Sequence, residues 1–449
     1  MRVTTASALA RDLRDGRCDP LDLVDQVFAR IDEVGDNAIF TETLRPRAEA
    51  EAHAARARLR SGNPASLLDG VPVAWKDLFD LKGRVTTAGS VVLASNPPAA
   101  QDAALVAAGA RAGLVTIGAL NMTEFAFSGI GLNPHFGTPR NPNGTGPARS
   151  PGGSSSASGV VVAADIVPIA FGTDTGGSIR IPAAFNGVVG YKTSTGHYPM
   201  TGVFPLSRSL DTLGPLAHSV EDCVLADTVL RGLQAPDVQA APVDALDFIV
   251  PDAVMLDALS PAVAANFEAA VARLEQAGAR VRRVALPELA ETLDVITRRA
   301  ALVAIEALDV HWDRLHGPDV ARIDARVVRR IMSAAKTSAV DLTILLRERK
   351  RLIAAVAAQI SDALLICPTT PTVAMQITPL EADQEVFFRH NGLTLRNTSL
   401  GNFLDWCGLS IPNGFDADQM PTGFMISAPH GRDRAVLAAG LAIEQIVRG

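Results

Sequence analysis

Hydrophobic and polar residues near the start of the chain follow the period of an α-helix. Leu23, Val27 and Ile31 recur at helical spacing and form one apolar face. Asp19-Pro20 precedes this face with a capping side chain and a proline in the first turn, which predicts the beginning of a helix. A second helix is predicted over residues 45–60, where Ala, Glu and Arg predominate.

From Leu68 onwards the pattern changes to short apolar runs separated by glycine turns. Residues 115–120 and 166–172 are such runs, and the stretch 102–112 has a helical pattern. Strands that alternate with helices are typical of α/β proteins, in which helices cover a sheet. We therefore predict an α/β fold, an α/β/α sandwich with a central, twisted, mixed and largely parallel sheet.

The second half of the chain predicts a connector, further strands and a helical region. Residues 231–243 are rich in Gln, Pro and Ala and predict the connector. Residues 288–360 are mainly helical and charged in pattern, which predicts an insertion or cover over the sheet. A helix is also predicted where Val263, Phe267, Val271 and Leu274 form an apolar stripe. Further strands are predicted at 279–286, 364–368 and 423–427, and a closing helix at 434–447. We predict that all of these elements belong to one domain over 1–449.

Composition and charge narrow the classes of function. The 449 residues are 48% hydrophobic and 20% charged, which are values of a globular protein with a large core. The net charge of −7 gives no basic surface for nucleic acid. Arginines are frequent between Arg322 and Arg330, but Asp319 and Asp324 are interleaved with them. This pattern predicts a solvated helical face.

Cysteine and histidine usage indicates neither a disulfide framework nor a metal site. The 4 cysteines form no CxxC, and the 8 histidines show no HExxH or other ligand spacing. We expect no metal, no cofactor and a reducing compartment, the cytoplasm. The N-terminal stretch lacks an apolar signal core, and the apolar run 159–172 is interrupted by Asp165 and Pro168. Neither secretion nor a membrane span is therefore expected.

A first candidate for chemistry is Ser178, in the loop TDTGGSIR. This loop follows an apolar strand, and ligands usually bind at strand ends in α/β sheets. Gly176 and Gly177 free the backbone, so the N–H groups from Thr175 to Ser178 could converge on an oxyanion. Read alone, an ordinary glycine turn with an exposed serine also explains the loop.

Two more candidates are Ser154, in the loop SPGGSSSASG, and Lys76. The serine loop leads into a helix that we predict to begin near Ser156. One alternative is a phosphate-binding loop, but such a loop ends in Gly-Lys-Ser/Thr, and this one has Ser-Ser-Ser. The other alternative is a merely flexible loop. Lys76 follows the apolar strand GVPVAW, where burial would lower its pKa and make it a general base. The alternative for Lys76 alone is a surface lysine paired with Asp77 or Asp80.

Other nucleophile systems fit the sequence less well. The chain has no GxSxG elbow, which disfavours the α/β-hydrolase arrangement. Cys367, in LLICPTTP, is a further nucleophile candidate, but the sequence names no base for it.

The motifs together resemble the amidase signature family. The core of the resemblance covers residues 68–222 and weaker likeness extends beyond it; the matching stretches are LDGVPVAWKDLFD, IGALNMTEFAFSG, NPHFGTPRNP, SPGGSSSASG, FGTDTGGSIRIPAAFNGVVGYK and SLDTLGPLAHSVED. The resemblance implies Ser178 as nucleophile, Lys76 as base, and Ser154 as a bridging serine that carries a cis peptide bond. It implies an oxyanion hole from four backbone N–H groups (Thr175, Gly176, Gly177 and Ser178).

The resemblance also assigns supporting and binding positions. Ser155, Asp174 and Arg180 match positions that brace the loops, and the buried Arg180 would need a carboxylate such as Asp174. Phe127 and Ser128 match a stretch that lines the acyl pocket of relatives.

The activity implied is hydrolysis of a carboxylic amide to the acid and ammonia or a small amine, through an acyl-enzyme. The alternative is the glutaminase-type A subunit of a tRNA-dependent amidotransferase, which passes ammonia to a partner. A membrane-lipid amidase lacks support because no amphipathic anchor is evident, and a binding module without activity is disfavoured because all three triad residues are present. The expected partner is a small amide, with no nucleic acid and no membrane; a homodimer is compatible with the resemblance, since many relatives dimerise.

Overall fold

Eleven strands form one mixed sheet in the computed structural model, which describes residues 5–298 and 301–449. The strands are β1 (Phe40–Thr43), β2 (Pro72–Lys76), β3 (Val115–Leu120), β4 (Ile169–Asp174), β5 (Val189–Lys192), β6 (Thr212–Ala217), β7 (Asp247–Pro251), β8 (Arg280–Val284), β9 (Leu364–Pro368), β10 (Trp406–Phe415) and β11 (Pro421–Pro429). Their order across the sheet is β1-β3-β2-β4-β6-β5-β10-β11-β9-β7-β8. The predicted α/β fold with a mixed sheet is confirmed.

The share of parallel pairing is smaller than we predicted. Of the ten pairings in the described sheet, six are antiparallel and four are parallel. Much of the antiparallel pairing follows from β10 and β11, which form a hairpin and then pair with β5 and β9 on either side. A five-residue loop suffices for such a hairpin, whereas a parallel pair needs a long crossover.

Helices cover the sheet. They are α1 (Ala6–Arg14), α2 (Pro20–Val34), α3 (Arg45–Arg60), α4 (Ala104–Arg111), α5 (Ser156–Ala163), α6 (Arg180–Asn186), α7 (Val220–Leu230), α8 (Pro261–Gln276), α9 (Pro287–Arg298), α10 (Leu302–Val310), α11 (Trp312–His316), α12 (Ala325–Met332), α13 (Ala339–Ile360), α14 (Ile377–Ala382), α15 (Gln384–Phe403) and α16 (Asp433–Arg448). Helix α2 begins where predicted, since the Asp19 side chain accepts a hydrogen bond from the Leu21 N–H. The described helices between residues 287 and 360 are α9 to α13; our division of the chain into one domain stays a prediction.

Three adjacent strands at the centre bring the candidate residues to one edge of the sheet. Strand β2 lies between β3 and β4 and runs parallel to both, so the carboxyl ends of the three strands lie together. Every residue of these strands is buried, as expected for parallel strands covered on both faces. The Trp75 ring stacks on Phe171 across the β2–β4 pair at 4.4 Å between centroids. This packing fixes the strand ends at which Lys76 and Asp174 lie.

In the described part of the chain no helix has the length and apolar character needed to cross a membrane.

Candidate active site

Lys76 is the last residue of β2, and its side chain is fully buried. Its Nζ donates hydrogen bonds to Ser154 Oγ and to Thr173 Oγ1, both at 2.8 Å. The alternative of a surface lysine paired with a neighbouring acid is therefore wrong. Asp77 instead accepts from Arg84 Nη1 at 2.6 Å. The sequence thus places this amine where hydroxyl groups, not carboxylates, surround it.

Burial lowers the pKa of Lys76 to about 7, although the charges of Asp211 and Asp174 oppose the shift. Removing an ammonium group from water disfavours its charged form, and the two buried carboxylates compensate only in part. A large fraction of this lysine is consequently neutral at mildly alkaline pH, and a neutral amine can accept a proton.

Ser154 lies in the loop between β3 and α5, and the peptide bond between Gly153 and Ser154 is cis. The loop is fixed by Gly153 N–H, which donates to Gly129 O at 2.9 Å, and by Ser154 O, which accepts from Thr123 N–H at 3.1 Å. Gly153 has no room for a side chain, because an added Cβ would lie 2.7 Å from Gly131 N. The hydroxyl of Ser154 is therefore held against the lysine by a tightly packed backbone.

Ser178 lies in the loop between β4 and α6, and only 4% of its surface is exposed. Its carbonyl accepts a hydrogen bond from Ser155 N–H at 3.3 Å, which joins the two serine loops. The neighbouring Ser155 hydroxyl donates to Thr173 O at 3.3 Å and so attaches its loop to β4. Among the described residues, no hydrogen bond links Ser178 Oγ to Ser154. The hydrogen bond between Lys76 and Ser154 is thus formed, whereas the described residues show none between the hydroxyl groups of Ser154 and Ser178.

The loop 175–178 differs in one respect from the predicted oxyanion hole. Gly177 N–H donates to Asp174 Oδ1 at 2.8 Å in this structure, and its assignment to the hole stays a prediction. Within the described ranges, no acceptor takes the N–H groups of Thr175, Gly176 or Ser178. This position of the loop requires glycine. Its φ of +132° disfavours other residues, and an added Cβ would lie 2.2 Å from Thr398 Oγ1.

Asp174 and Arg180 form a buried ion pair at the two ends of this loop. Arg180 donates to the carboxylate through Nε and Nη2, both at 3.0 Å, as the sequence led us to expect. Asn402 on α15 joins the pair, since its Nδ2 donates to Asp174 Oδ1 at 2.9 Å and its Oδ1 accepts from Arg180 Nη2 at 2.6 Å. Burial alone would raise the pKa of Asp174, but the Arg180 charge holds it well below its usual range.

Asp211 was not singled out from the sequence, although it lies in the matching stretch SLDTLGP. Its carboxylate accepts from Thr175 Oγ1 at 2.6 Å and from the N–H groups of Leu206 and Ser207 at 2.9 and 3.0 Å. Burial raises its pKa to about 6, against the effect of these hydrogen bonds and of the Lys76 charge. Asp211 therefore supports the loop that carries Ser178 and contributes to the field at the lysine.

An apolar pocket opens at Ser178. Phe127 and Ser128 line it, as the resemblance implied, together with residues from α9, α12 and α15. Ser128 is oriented by Asn391, whose Oδ1 accepts its hydroxyl at 3.0 Å. The described residues of the lining are Ala126, Phe127, Ser128, Thr175, Gly176, Ser178, Leu206, Leu210, Leu293, Ile296, Thr297, Ala301, Leu302, Val303, Arg330, Gly392, Leu395, Arg396, Ser399 and Phe403.

Arg330 is the main correction to the sequence analysis, which placed residues 322–330 on a solvated helical face. Arg322 and Arg329 do pair with acids at the surface, and Arg326 pairs with Asp324 in a largely buried position. Arg330 lies in the pocket wall, where its Nη1 donates to Phe127 O at 2.6 Å and its guanidinium carbon lies 4.1 Å above the Phe127 ring. Burial lowers its pKa to about 10.

The remaining nucleophile and ligand candidates lie elsewhere. Cys367 is buried in β9, where burial raises the pKa of its thiol to about 12 and makes the thiolate scarce. In the described part of the chain, no group of three His, Cys, Asp or Glu side chains is placed to hold a metal ion.

Comparison with known proteins gives matches along nearly the whole chain. A family model described as Amidase matches residues 22–437. The chain is 38% identical over 409 residues to 2-amino-5-chloromuconic acid deaminase from Comamonas testosteroni, and the match covers 89% of this chain and 87% of that protein. It is 32% identical over 490 residues to the A subunit of glutamyl-tRNA(Gln) amidotransferase from Cupriavidus pinatubonensis, over 99% of this chain and 96% of that protein. A crystal structure of an amidase superposes with a TM-score of 0.88 at 32% identity, over 99% of this chain and 100% of that one.

Proposed function

The chain belongs to the amidase signature family, and on this basis we propose how it hydrolyses a carboxylic amide. Ser178 attacks the amide carbonyl, Ser154 and Lys76 pass on its proton, and water then cleaves the acyl-enzyme. The observation that carries this proposal is the buried Lys76 amine, with a pKa of about 7 and a 2.8 Å hydrogen bond to Ser154 Oγ.

Proton movement runs through the two serines. As substrate enters, Ser178 Oγ–H donates to Ser154 Oγ, and Ser154 Oγ–H donates to the neutral Nζ of Lys76. Attack of Ser178 Oγ on the carbonyl carbon forms the C–O bond, while the hydroxyl proton moves to Ser154 and the Ser154 proton moves to Lys76. Catalytic hydrogen bonds often close only in the substrate complex, which agrees with the open contact between the serines.

The negative charge that develops on the carbonyl oxygen is stabilised by backbone donors. We assign this role to the N–H groups of Thr175, Gly176 and Ser178. Asp174 fixes the loop through Gly177 N–H, and Asp211 fixes it through the Thr175 hydroxyl. Each donor of such a hole contributes roughly 2.7–4 kcal/mol of transition-state stabilisation.

Collapse of the tetrahedral intermediate breaks the C–N bond, and the leaving nitrogen takes a proton from Ser154 Oγ. Lys76 then returns its proton to Ser154. Water then loses a proton to the same relay as it attacks the acyl carbon of the Ser178 ester. The second collapse returns the proton to Ser178 Oγ and releases the acid. The relay ends in its starting protonation state, as a catalytic cycle requires.

Substitution of the triad tests this mechanism. Ser178→Ala, Ser154→Ala and Lys76→Ala should each lower kcat by several orders of magnitude while the circular dichroism spectrum stays that of the wild type. The losses should be non-additive, because the three groups act as a unit. Ser156→Ala is the matched control, since Ser156 is a buried serine at the start of α5, directly after the Ser154 loop, and its hydroxyl donates to Asn121 O at 3.4 Å, outside the relay. Near-wild-type turnover by Ser178→Ala would refute the nucleophile assignment.

A glutaminase-type component of an amidotransferase is the second candidate. Its support is the 32% identity over 99% of this chain to the A subunit of a glutamyl-tRNA(Gln) amidotransferase. A further relative is named for action on an acid, 2-amino-5-chloromuconic acid. The substrate panel for this protein should therefore contain amides of acids beside simple amides and glutamine.

We place the protein in the cytoplasm, supported by cysteines that are free in the structure (Cys18, Cys223, Cys367 and Cys407). Disulfides are rare in reducing compartments. Its proposed partner is a small amide, and a homodimer stays a prediction from the resemblance.

A further inference from the structure

In its described lining, the pocket at Ser178 carries two formal positive charges and no negative one. Arg330 and Arg396 are its charged lining residues, and no Asp or Glu belongs to the described lining. This contrasts with the protein as a whole, whose net charge is −7. A neutral amide offers no counter-charge to two arginines in a pocket that is otherwise mainly apolar. Such groups are costly to desolvate unless a partner compensates them.

Arg330 lacks a carboxylate partner within the protein. None of its nitrogen atoms forms an ion pair with a described Asp or Glu, and the sequence has no acid at the undescribed positions 1–4, 299 and 300. Its neighbours on α12 differ, since Arg326 pairs with Asp324 at 2.7 Å and Arg329 with Glu385 at 2.6 Å. Of these three arginines of α12, the one without a carboxylate partner is thus the one that lines the pocket.

The Arg330 guanidinium is nevertheless held in place. The Phe127 carbonyl takes one N–H at 2.6 Å, and the Phe127 ring supports the flat face of the group at 4.1 Å. Of the five N–H donors of a guanidinium, the others have no acceptor among the described residues. A planar cation with fixed orientation and free N–H groups is the arrangement that binds a carboxylate through two parallel hydrogen bonds.

Arg396 adds a second positive charge from α15. Its Nε donates to Asn397 Oδ1 at 3.1 Å and its Nη2 to Met255 O at 3.5 Å, both neutral acceptors. Like Arg330, it forms no ion pair with a carboxylate in the described ranges. Both charged side chains of the described lining are therefore cationic, and they favour an anionic ligand over a cationic one.

We propose that the substrate of this amidase is an amide that carries a carboxylate on its acyl part and no cationic group, and that Arg330 binds this carboxylate. The inference rests on the proposed function. The class comprises monoamides of dicarboxylic acids, and glutamine is outside it, because its α-ammonium group would enter a positive pocket without a carboxylate to receive it. Arg330 is a residue of substrate specificity; the chemistry remains with Ser178, Ser154 and Lys76.

Wild-type enzyme tests the substrate class first. Ammonia release is measured at about pH 8.5, where Lys76 is neutral, for malonamate, succinamate, glutaramate and adipamate. Each is compared with the neutral amide of equal carbon number, from propanamide to hexanamide, and glutaramate is also compared with glutamine, which differs from it only by the α-amino group. We expect kcat/KM for the best monoamide to exceed that for its neutral counterpart by about 100-fold, the effect of a desolvated charge pair. Glutaramate should exceed glutamine.

Substitution of Arg330 then tests the residue. In Arg330→Met, the ratio of kcat/KM between the best monoamide and its neutral counterpart should fall towards one, mainly through KM. Arg330→Lys should keep part of the ratio, since it keeps the charge but loses the planar fork. The matched control is Arg329→Met on the same helix, which removes an arginine paired with Glu385 at the surface and should leave the ratio as in the wild type.

The outcomes separate the two levels of the proposal. Hydrolysis of neutral amides at least as fast as monoamides, or an unchanged ratio in a folded Arg330→Met, overturns the carboxylate proposal and leaves the amidase mechanism standing. Preference for glutamine over glutaramate also overturns it. A wild-type protein that hydrolyses none of these amides contradicts the proposed mechanism itself. If Arg330→Met does not fold, Arg330→Lys and the wild-type comparison decide.

Discussion

Lys76 places its amine between two hydroxyl groups, and burial lowers its pKa to about 7. As the proposed base, this residue is active in its neutral form. We expect kcat/KM to fall about tenfold per pH unit below about pH 6 and to level off above about pH 8. The measurement is initial rate against pH with a substrate that does not titrate in this range. A rate that falls from pH 6 to pH 9 in folded protein would exclude the assignment.

Substitution of Asp211 offers a sharper test of the role of Lys76 as the base. Its negative charge stabilises the protonated form of Lys76 and so raises the pKa of the lysine. Asp211→Asn keeps a carbonyl oxygen for the Leu206 and Ser207 N–H groups but removes this charge. We expect the rising limb of the pH–rate profile to move to lower pH. Asp247→Asn, which removes an acid paired with Arg280 and Arg282 at the far edge of the sheet, should leave the limb in place.

At the scale of secondary-structure elements, one buried ion pair connects three of them. Asp174 ends β4, Arg180 begins α6, and Asn402 on α15 contacts both side chains. The loop with Ser178 lies between the first two residues, so the pair fixes both of its ends. A buried pair of this kind is a weak source of net stability, but removal of one partner leaves an uncompensated charge.

Asp174→Asn should accordingly lower the free energy of unfolding by about 3–5 kcal/mol, because Arg180 then lies buried without a counter-charge. The double variant Asp174→Asn/Arg180→Met should recover part of this loss and no activity, since the loop still lacks its anchor. Urea unfolding monitored by fluorescence gives the stabilities, and ammonia release gives the activity. Equal stability of the single and double variants would show that the charge is compensated elsewhere.

The elements themselves could be predicted where local signals are strong. Helix α3 covers residues 45–60 as predicted, because alanines and charged residues favour helix throughout that stretch. The strand predicted at 166–172 is Ile169–Asp174, shifted because Pro168 cannot donate to a ladder and the strand begins after it. The mixed character of the sheet was predicted, but the excess of antiparallel pairs depends in part on strands that are remote in sequence, such as β5 with β10 and β1 with β3.

At the scale of the whole molecule, the site combines predictable and unpredictable parts. Lys76 and Ser178 lie in local motifs at strand ends and Ser154 lies in one just before α5, so the sequence predicted them together. Arg330 lies in a stretch whose charge pattern fits a solvated helix, and its partner Phe127 is 203 residues away in sequence. Only the packing of α12 against that loop makes it a pocket residue. A pocket residue of this kind requires the three-dimensional structure, whereas the proposed catalytic residues lie in motifs that the sequence itself shows.

The origin of the described pocket lining bears on the choice between a self-sufficient amidase and one component of an amidotransferase. Helices α9, α12 and α15 supply the part of the lining that faces the catalytic loops. Every group used by the proposed mechanism also comes from the same polypeptide. On the proposed mechanism, we therefore expect the isolated chain to release ammonia from a monoamide without tRNA, ATP or a second protein.

This last prediction needs a homogeneous preparation, because a co-purified partner would imitate self-sufficiency. Size-exclusion chromatography with light scattering should show only copies of the 449-residue chain, and the ammonia-releasing activity should follow that peak. The Ser178→Ala protein, purified in the same way, controls for contaminating amidases. Activity that appears only after addition of the other amidotransferase components and tRNA would favour the amidotransferase alternative, since ammonia would then be made only for transfer. Activity in the homogeneous peak, absent from Ser178→Ala, would establish a free-standing hydrolase whose specificity resides in its own pocket.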